Sequence, residues 1–424
     1  MSKMNVTGIS KAKVFPINSR SKYSFKNGNP TLDFEIAPDA QRLLDVKSLR
    51  LNFMFDVLDS NGNRVNNQDV TGNGAVDCKV DSRVGVNSVI DVLRLSNFKN
   101  ENIEEIRNYS RLLASTLPAM TSFDAYKNWC SNKNQAYARE DVEGMAVNGS
   151  LACSLPLRSG LFNSGSPINT MQLDGCKISI QLSPDNFVLY GANASTCNYE
   201  LSAVSLTYNW IHLEAPLMLT NDMIQYPTYS SFINIVQSSD DQQSLMMNLG
   251  SVRAAFANYC KTANLNNFTT NSLETNRIQD NAGADKKIKN VVHMRNNVKY
   301  PKKYDINERI AVTNGAYEAQ LGREYLDCFR PFNKISSCLQ SPETQGYKSV
   351  DAGDYTTPDV GRYVGGVGSN YDMLQTGMGS EFKNSMYSVR LQTDMTDSTP
   401  NTSFTYALSN QGLAVRKQNV QPVQ

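Results

Sequence analysis

Histidine and tryptophan are almost missing from these 424 residues, which hold two of each. The histidines, His212 and His293, are too far apart for a zincin helix, whose two metal ligands stand four residues apart. A Ser or Cys triad would have to use one of them, and no Gly-x-Ser-x-Gly elbow is present. Charge is also scarce, at 19% against a usual quarter. No run approaches 18 consecutive apolar residues, so no transmembrane helix is expected. The opening Met-Ser-Lys-Met-Asn-Val-Thr-Gly lacks an apolar h-region, and a signal peptide is not expected. No CxxC occurs among the eight cysteines, Cys78, Cys130, Cys153, Cys176, Cys197, Cys260, Cys328 and Cys338. Buried thiols in an intracellularly made protein are expected rather than a zinc site. For the same reason the sequons at Asn5, Asn108, Asn148, Asn193, Asn267 and Asn401 are not expected to be glycosylated.

What fills the gap is asparagine, with 46 residues, beside 25 Gly and 20 Tyr. This polar, uncharged, turn-rich composition excludes a coiled coil, an acidic disordered chain and a helical solenoid. It favours short strands joined by ordered loops. The formal charge of +1 hides an uneven distribution. Residues 1–32 hold Lys3, Lys11, Lys13, Arg20, Lys22 and Lys26 and no acid, and residues 286–303 hold seven bases and no acid. Without those 13, 28 bases face 40 acids, a balance of −12. A basic arm on an acidic body can neutralise phosphates. Residues 286–303 read as a solvated loop.

Period-2 patterning is the clearest signal. Leu49, Leu51, Phe53, Phe55 and Val57 alternate with polar neighbours and run into an Asn61-Gly62 turn. Leu151, Cys153, Leu155 and Leu157 form a second such face, with Pro156 marking an edge strand or bulge. Cys176–Leu182, Val204–Trp210, Tyr387–Leu391 and Phe404–Leu408 complete an all-β body. Helical insertions are expected at 100–113 (Ile103, Ile106, Ser110, Leu113), 249–260 (Val252, Phe256, Tyr259) and 316–329 (Tyr317, Leu321, Tyr325). Each half thus begins with strands, passes a loop-borne helix and ends with alternating strands. Two β-sandwiches of about 200 residues fit the length, with a linker in the proline-bearing stretch from Glu214 to Pro227.

Nothing here suggests catalysis. His212, after Trp210, reads as a core or interface residue, and His293 as exposed. Gly361, Gly365, Gly366 and Gly368 lack the Lys-Ser/Thr ending of a phosphate loop and read as a surface loop. Glu104-Glu105 and Asp240-Asp241 are chain neighbours that would not converge across one glycosidic bond. No catalytic, cofactor-binding or metal-binding residue is expected, and no cofactor.

The stretch Asp81-Ser-Arg-Val-Gly-Val-Asn-Ser-Val-Ile, continuing to Ile103-Glu-Glu-Ile-Arg-Asn-Tyr109, resembles double-jelly-roll major capsid proteins of the virophage, polinton-like virus and adintovirus type. Leu155-Pro-Leu-Arg-Ser-Gly-Leu-Phe162, followed by the alternating Leu173–Leu182, is similar to that family's Ser-Gly-x-Phe loop and next strand. Tyr199–Leu213, Tyr300-Pro301 and Phe382–Leu391 match in order, so the resemblance spans roughly 45–415. Many relatives are longer, which implies reduced tower loops here.

The resemblance implies an all-β chain of two consecutive eight-stranded jelly rolls with short helices in the loops. It divides the sequence into a basic arm (1–30), a first roll (31–215), a linker (216–228), a second roll (229–415) and a tail (416–424). It further implies a non-enzymatic major capsid protein. Such chains form homotrimers, pseudo-hexagonal capsomers tiling an icosahedral shell around DNA. The partners implied are neighbouring capsomers and minor or penton proteins. The basic arm would touch DNA or a neighbouring capsomer, and the location would be the virion, assembled inside a host cell. Two alternatives remain: a carbohydrate-binding or glycosidase-like sandwich, which usually displays exposed tryptophans, and a minor capsid or penton protein with a single, shorter roll.

Overall fold

The structure is a computed structural model that describes residues 5–28, 30–65, 78–81, 84–120, 151–163, 167–217, 222–247, 249, 252–273, 278–286, 288–300, 306–307, 310–311, 317–318, 385–416 and 419–423. Among the described residues of the first half, eight main strands, with the two-residue strand Lys22–Tyr23 beside the last of them, build two sheets. They are β1 (Val6–Val14), β2 (Thr31–Ile36), β3 (Arg42–Leu58), β4 (Ile90–Ser96), β5 (Asn102–Ile106), β6 (Leu151–Pro156), β7 (Cys176–Leu182) and β8 (Asn198–Leu213). One sheet has the order β1-β8-β3-β6 and the other β2-β7-β4-β5, all neighbours antiparallel. This interleaving of early and late strands is a jelly roll.

The second half repeats the order. Its strands are β9 (Asp222–Val236), β10 (Asp240–Met247), β11 (Val252–Lys261), β12 (Ile288–Arg295), β13 (Val298–Tyr300), β14 (Ser385–Thr393) and β15 (Asn401–Arg416). They form β9-β15-β11 and β10-β14-β12-β13. Counting from the start of each half, the places match strand for strand. The counterpart of β6 is the one place not filled among the described residues. A last strand, β16 (Asn419–Val423), pairs with the end of β15.

All six alternating segments are strands, and their apolar members point inward. Leu49, Leu51, Phe53, Phe55 and Val57 are each at most 2% exposed, as a half-buried strand requires. Pro156 lies in β6, an edge strand, where a missing N–H costs no ladder bond. Short helices sit in the connections: α1 (Tyr109–Met120), α2 (Gly160–Asn163), α3 (Thr170–Leu173) and α4 (Asp185–Val188). The Asn169 side chain caps α3 by accepting from the Met171 and Gln172 amides.

Several expectations need correction. Residues 1–30 are not a separate arm, because Val6–Val14 is a full ladder strand against β8. The linker is shorter than 216–228, since β9 begins at Asp222. The supposed tail contributes β16. Where a helix was expected over 249–260, Val252–Lys261 is a strand. The helix expected over 100–113 begins only at Tyr109, after β5, with Asn108 at positive φ between the two. Of the loop expected over 286–303, Ile288–Arg295 and Val298–Tyr300 instead form the hairpin β12–β13. Of the helix expected at 316–329, Tyr317–Glu318 are extended and 319–329 lie outside the described residues, as does Gly361–Gly368.

Candidate assembly site

The two rolls meet along a buried polar seam, built on Glu104 of β5. This side chain is fully enclosed, and its carboxylate accepts from the amides of Gly160 (2.8 Å) and Leu161 (3.1 Å) and from the Thr228 hydroxyl (2.6 Å). Burial pushes its pKa up from 4.5, while the donors from Thr228, Leu161, Gly160 and Ser159 pull against that shift. One carboxylate thus joins three elements: β5 and the start of α2 in the first roll, and β9 in the second. Next to it the Tyr226 hydroxyl donates to the Ile103 carbonyl at 2.6 Å. Gly160 allows the contact, because a Cβ there would lie 1.5 Å from the Pro227 carbonyl oxygen.

Arg111 of α1 is the second tie. Its guanidinium lies 5.2 Å from the Phe187 ring of the first roll and 4.4 Å from the Phe404 ring of the second. It donates to the Ser272 carbonyl. A planar cation between two rings and a carbonyl keeps its charge solvated after burial. Around it, the Tyr406 hydroxyl donates to the Asn108 carbonyl at 3.1 Å and the Asn271 amide to Asp81 at 2.6 Å. The core is accordingly continuous across the seam: Phe256, Phe404, Tyr406 and Leu408 of the second roll pack with the first roll's interior.

Outside the core, exposed large apolar side chains fall into two groups. Val6, Ile9, Phe15, Ile17 and Phe25 lie along the N-terminal segment. Ile233 and Ile235 on β9, Met246 on β10, Val298 on β13 and Met386 on β14 lie on the second roll. Met246 and Met386 are direct cross-strand partners. Of the basic residues, Lys11 and Lys13 project from the exposed face of β1, whereas Lys22 pairs with Glu200 at 2.7 Å.

The two histidines stay apart. His212, half-buried at the end of β8, meets Ser10 at 2.7 Å, as an interface residue of the sheet. His293, expected exposed, is 1% exposed on β12 beside β14, with Nδ1 against the Tyr387 hydroxyl. Alternation along β12 turns it inward. Trp210 is buried with Arg42 over its ring, and Trp129 lies outside the described residues. Among the described residues no three His, Cys, Asp or Glu side chains converge as a metal site would need. Glu104, Arg111 and Gly160 were not singled out for this seam by sequence reasoning. A glutamate between Ile103 and Ile106 in a strand pattern was the available signal.

No protein-family model matches the chain, and no curated protein matches it. Solved structures do match. Vp54 of PBCV-1, fitted into a reconstruction of the virophage Sputnik, aligns with a TM-score of 0.55 at 11% identity, over 99% of this chain and 98% of that one. The Sputnik virophage structure aligns with 0.53 at 12% identity, over 99% and 88%. The Faustovirus major capsid protein aligns with 0.56 at 9% identity, over 96% and 90%. The structural neighbours are double-jelly-roll major capsid proteins, and this chain has their fold.

Proposed function

We propose that the chain is a major capsid protein, whose three copies associate into a pseudo-hexagonal capsomer that tiles an icosahedral shell around a DNA genome. The carrying observation is the repeated strand order, locked by a buried seam. Two like sandwiches held rigidly side by side make one third of a six-cornered ring, so three chains close it by cyclic symmetry. No catalytic constellation is needed: the work is burial of complementary surface, repeated many times. The two groups of exposed apolar side chains are the surfaces such contacts would cover. Lys11 and Lys13, on the open face of β1, would face phosphate or a neighbouring capsomer. Minor or penton proteins would complete the shell, and the protein's place would be the virion, assembled within the host cell.

Light scattering on the size-fractionated protein tests this reading. The expected particle is near 141 kDa, three times 47.1 kDa, with a hexagonal outline in negative stain. A stable monomer at micromolar concentration would sink it.

A further inference from the structure

The interiors of the two rolls differ in kind. In the first roll, Leu32, Phe34 and Ile36 on β2 and Leu93 and Leu95 on β4 are buried apolar side chains. The strands at the matching places of the second roll, β10 and β12, carry polar groups inward. Gln243 of β10 and His293 of β12 both stand opposite Val389 of β14, so the three form one row across that sheet. On the facing sheet, Asn234 of β9 and Tyr259 of β11 both stand opposite Ser403 of β15, a second row. Paired residues of antiparallel strands project to the same side. Here that side is the interior, because Val389 and Tyr259 belong to the second roll's own core and Ser403, Gln243 and His293 are buried. Asn234 lies near the end of β9 and Gln243 near the start of β10, so both rows lie near the corner that joins the two sheets. Burial and then the charge of Asp241 push the Tyr259 phenol up, which sets Tyr259 near that end of β10.

Five atoms in these rows meet no protein partner among the described residues. They are both amide atoms of Gln243, Nε2 of His293, the Tyr259 hydroxyl and Nδ2 of Asn234. Nδ1 of His293 meets the Tyr387 hydroxyl, and either tautomer leaves Nε2 with a bond to make. Buried polar groups are bonded as a rule, to protein or to ordered water. Ala255 and Ala257 of β11 line the same interior, where the matching strand of the first roll, β3, has Phe53 and Phe55. We propose that the second roll encloses a binding site for ordered water, held between the two rows by Gln243, His293, Tyr259 and Asn234. Water fits because it donates and accepts. Gln243 offers one of each, Asn234 Nδ2 only donates, and the Tyr259 hydroxyl takes either role. At roughly three bonds per buried water, five atoms account for about two molecules. All four side chains are neutral, the imidazole because burial lowers its pKa to about 3, so a neutral occupant suits them better than an ion. The site lies within one chain and stands whether or not the capsid reading holds.

A density map of the full-length protein, at a resolution that shows ordered water, tests the site. The expected result is a peak within hydrogen-bond distance of His293 Nε2 and of the Gln243 amide, shared with Tyr259 or Asn234. No peak between the rows would overturn the proposal, whether the five atoms then pair with one another or stay bare. Denaturant unfolding of Gln243→Leu, His293→Leu and the double variant is a second test. The two side chains make no bond to each other, so without a shared water their effects on the unfolding constant should multiply. With one, the double variant should fall short of that product by about tenfold, and agreement within about twofold would count against the site. The map of the unmutated protein decides even where a variant fails to fold.

Discussion

Glu104 shows how one side chain can hold two folding units together. Its buried carboxylate is the acceptor for the Gly160 and Leu161 amides and for the Ser159 and Thr228 hydroxyls. Glu104→Ala therefore strands the Gly160 and Leu161 amides and the Thr228 hydroxyl in a buried seam. The expected loss is about 2–5 kcal/mol, measured by denaturant unfolding. Glu104→Ala as stable as the parent would show that the seam is held elsewhere. His293 supplies a pH dependence of opposite origin. Burial lowers its pKa from 6.5 to about 3. Between those values the unfolded chain takes up a proton that the folded chain refuses, so this contribution is complete above pH 6.5 and is lost as pH falls. The slope is about 1.4 kcal/mol per pH unit. Stability curves at pH 7, 6 and 5 should show that slope in the parent and a shallower one in His293→Gln. These residues were hard to read for a physical reason. His293 sits in a basic run, and net charge along a sequence does not say which face of a strand a residue occupies. Glu104 is an acid on an inward face, which only α2 and the second roll's β9 explain.

Elements were legible where apolar and polar residues alternate along a strand and illegible where apolar residues fall on both faces. Strands β3, β6, β7, β8, β14 and β15 announce themselves by alternation. In β11, Phe256 packs toward the first roll and Tyr259 toward the second roll's own core. With apolar residues needed on both faces, the period of two disappears and spacings of four and three imitate a helix. The helix expected over 100–113 was misplaced by a related accident. Ile103 and Ile106 belong to a strand, Leu113 to a helix, and Asn108 at positive φ joins them. At Gly160 the start of α2 lies hard against β9. An added methyl would meet the Pro227 carbonyl at 1.5 Å and Glu104 Oε1 at 2.9 Å. Backbone cannot swing aside as a side chain can, so Gly160→Ala should cost about 3 kcal/mol or more. Limited proteolysis should then cut between β8 and β9 faster than in the parent; a variant cut no faster would mean that the seam has slack. Strand β1 gives the contrary case for an edge. Removing residues 2–14 uncovers β8, so the first roll should lose stability. Lys11→Glu with Lys13→Glu leaves the ladder whole and isolates any contact with DNA, read as a flatter salt dependence of binding.

At the scale of the molecule, the fold was legible because the strand order recurs, even though no residue-level repeat marks the recurrence. What could not be read was which outer surfaces are spare, since exposure is decided by how the rolls meet. The seam consumes the apolar face formed by Phe256, Phe404, Tyr406 and Leu408, and leaves Ile233 and Ile235 beyond it at 56% and 52% exposed. Met246 is 82% exposed and stands beside Met386 on the second roll's other sheet. A lone exposed apolar residue needs no explanation, whereas two clusters on one roll do. If three chains close a ring, these side chains are the natural cover for one another's first rolls, and each is repeated three times per particle. Ile233→Lys with Met386→Lys should therefore leave the fold intact, since surface changes of this kind shift stability by about 0.5 kcal/mol or less. The same pair should move the particle from trimer toward monomer at micromolar concentration, because a lysine ammonium buried without a partner costs several kcal/mol per copy. Light scattering and thermal melting on the same sample separate the two effects. An unchanged melt with lost mass places assembly on the second roll. An unchanged melt with an unchanged trimer moves the contact to Val6, Ile9 and Phe15, where the equivalent substitutions would then have to break it.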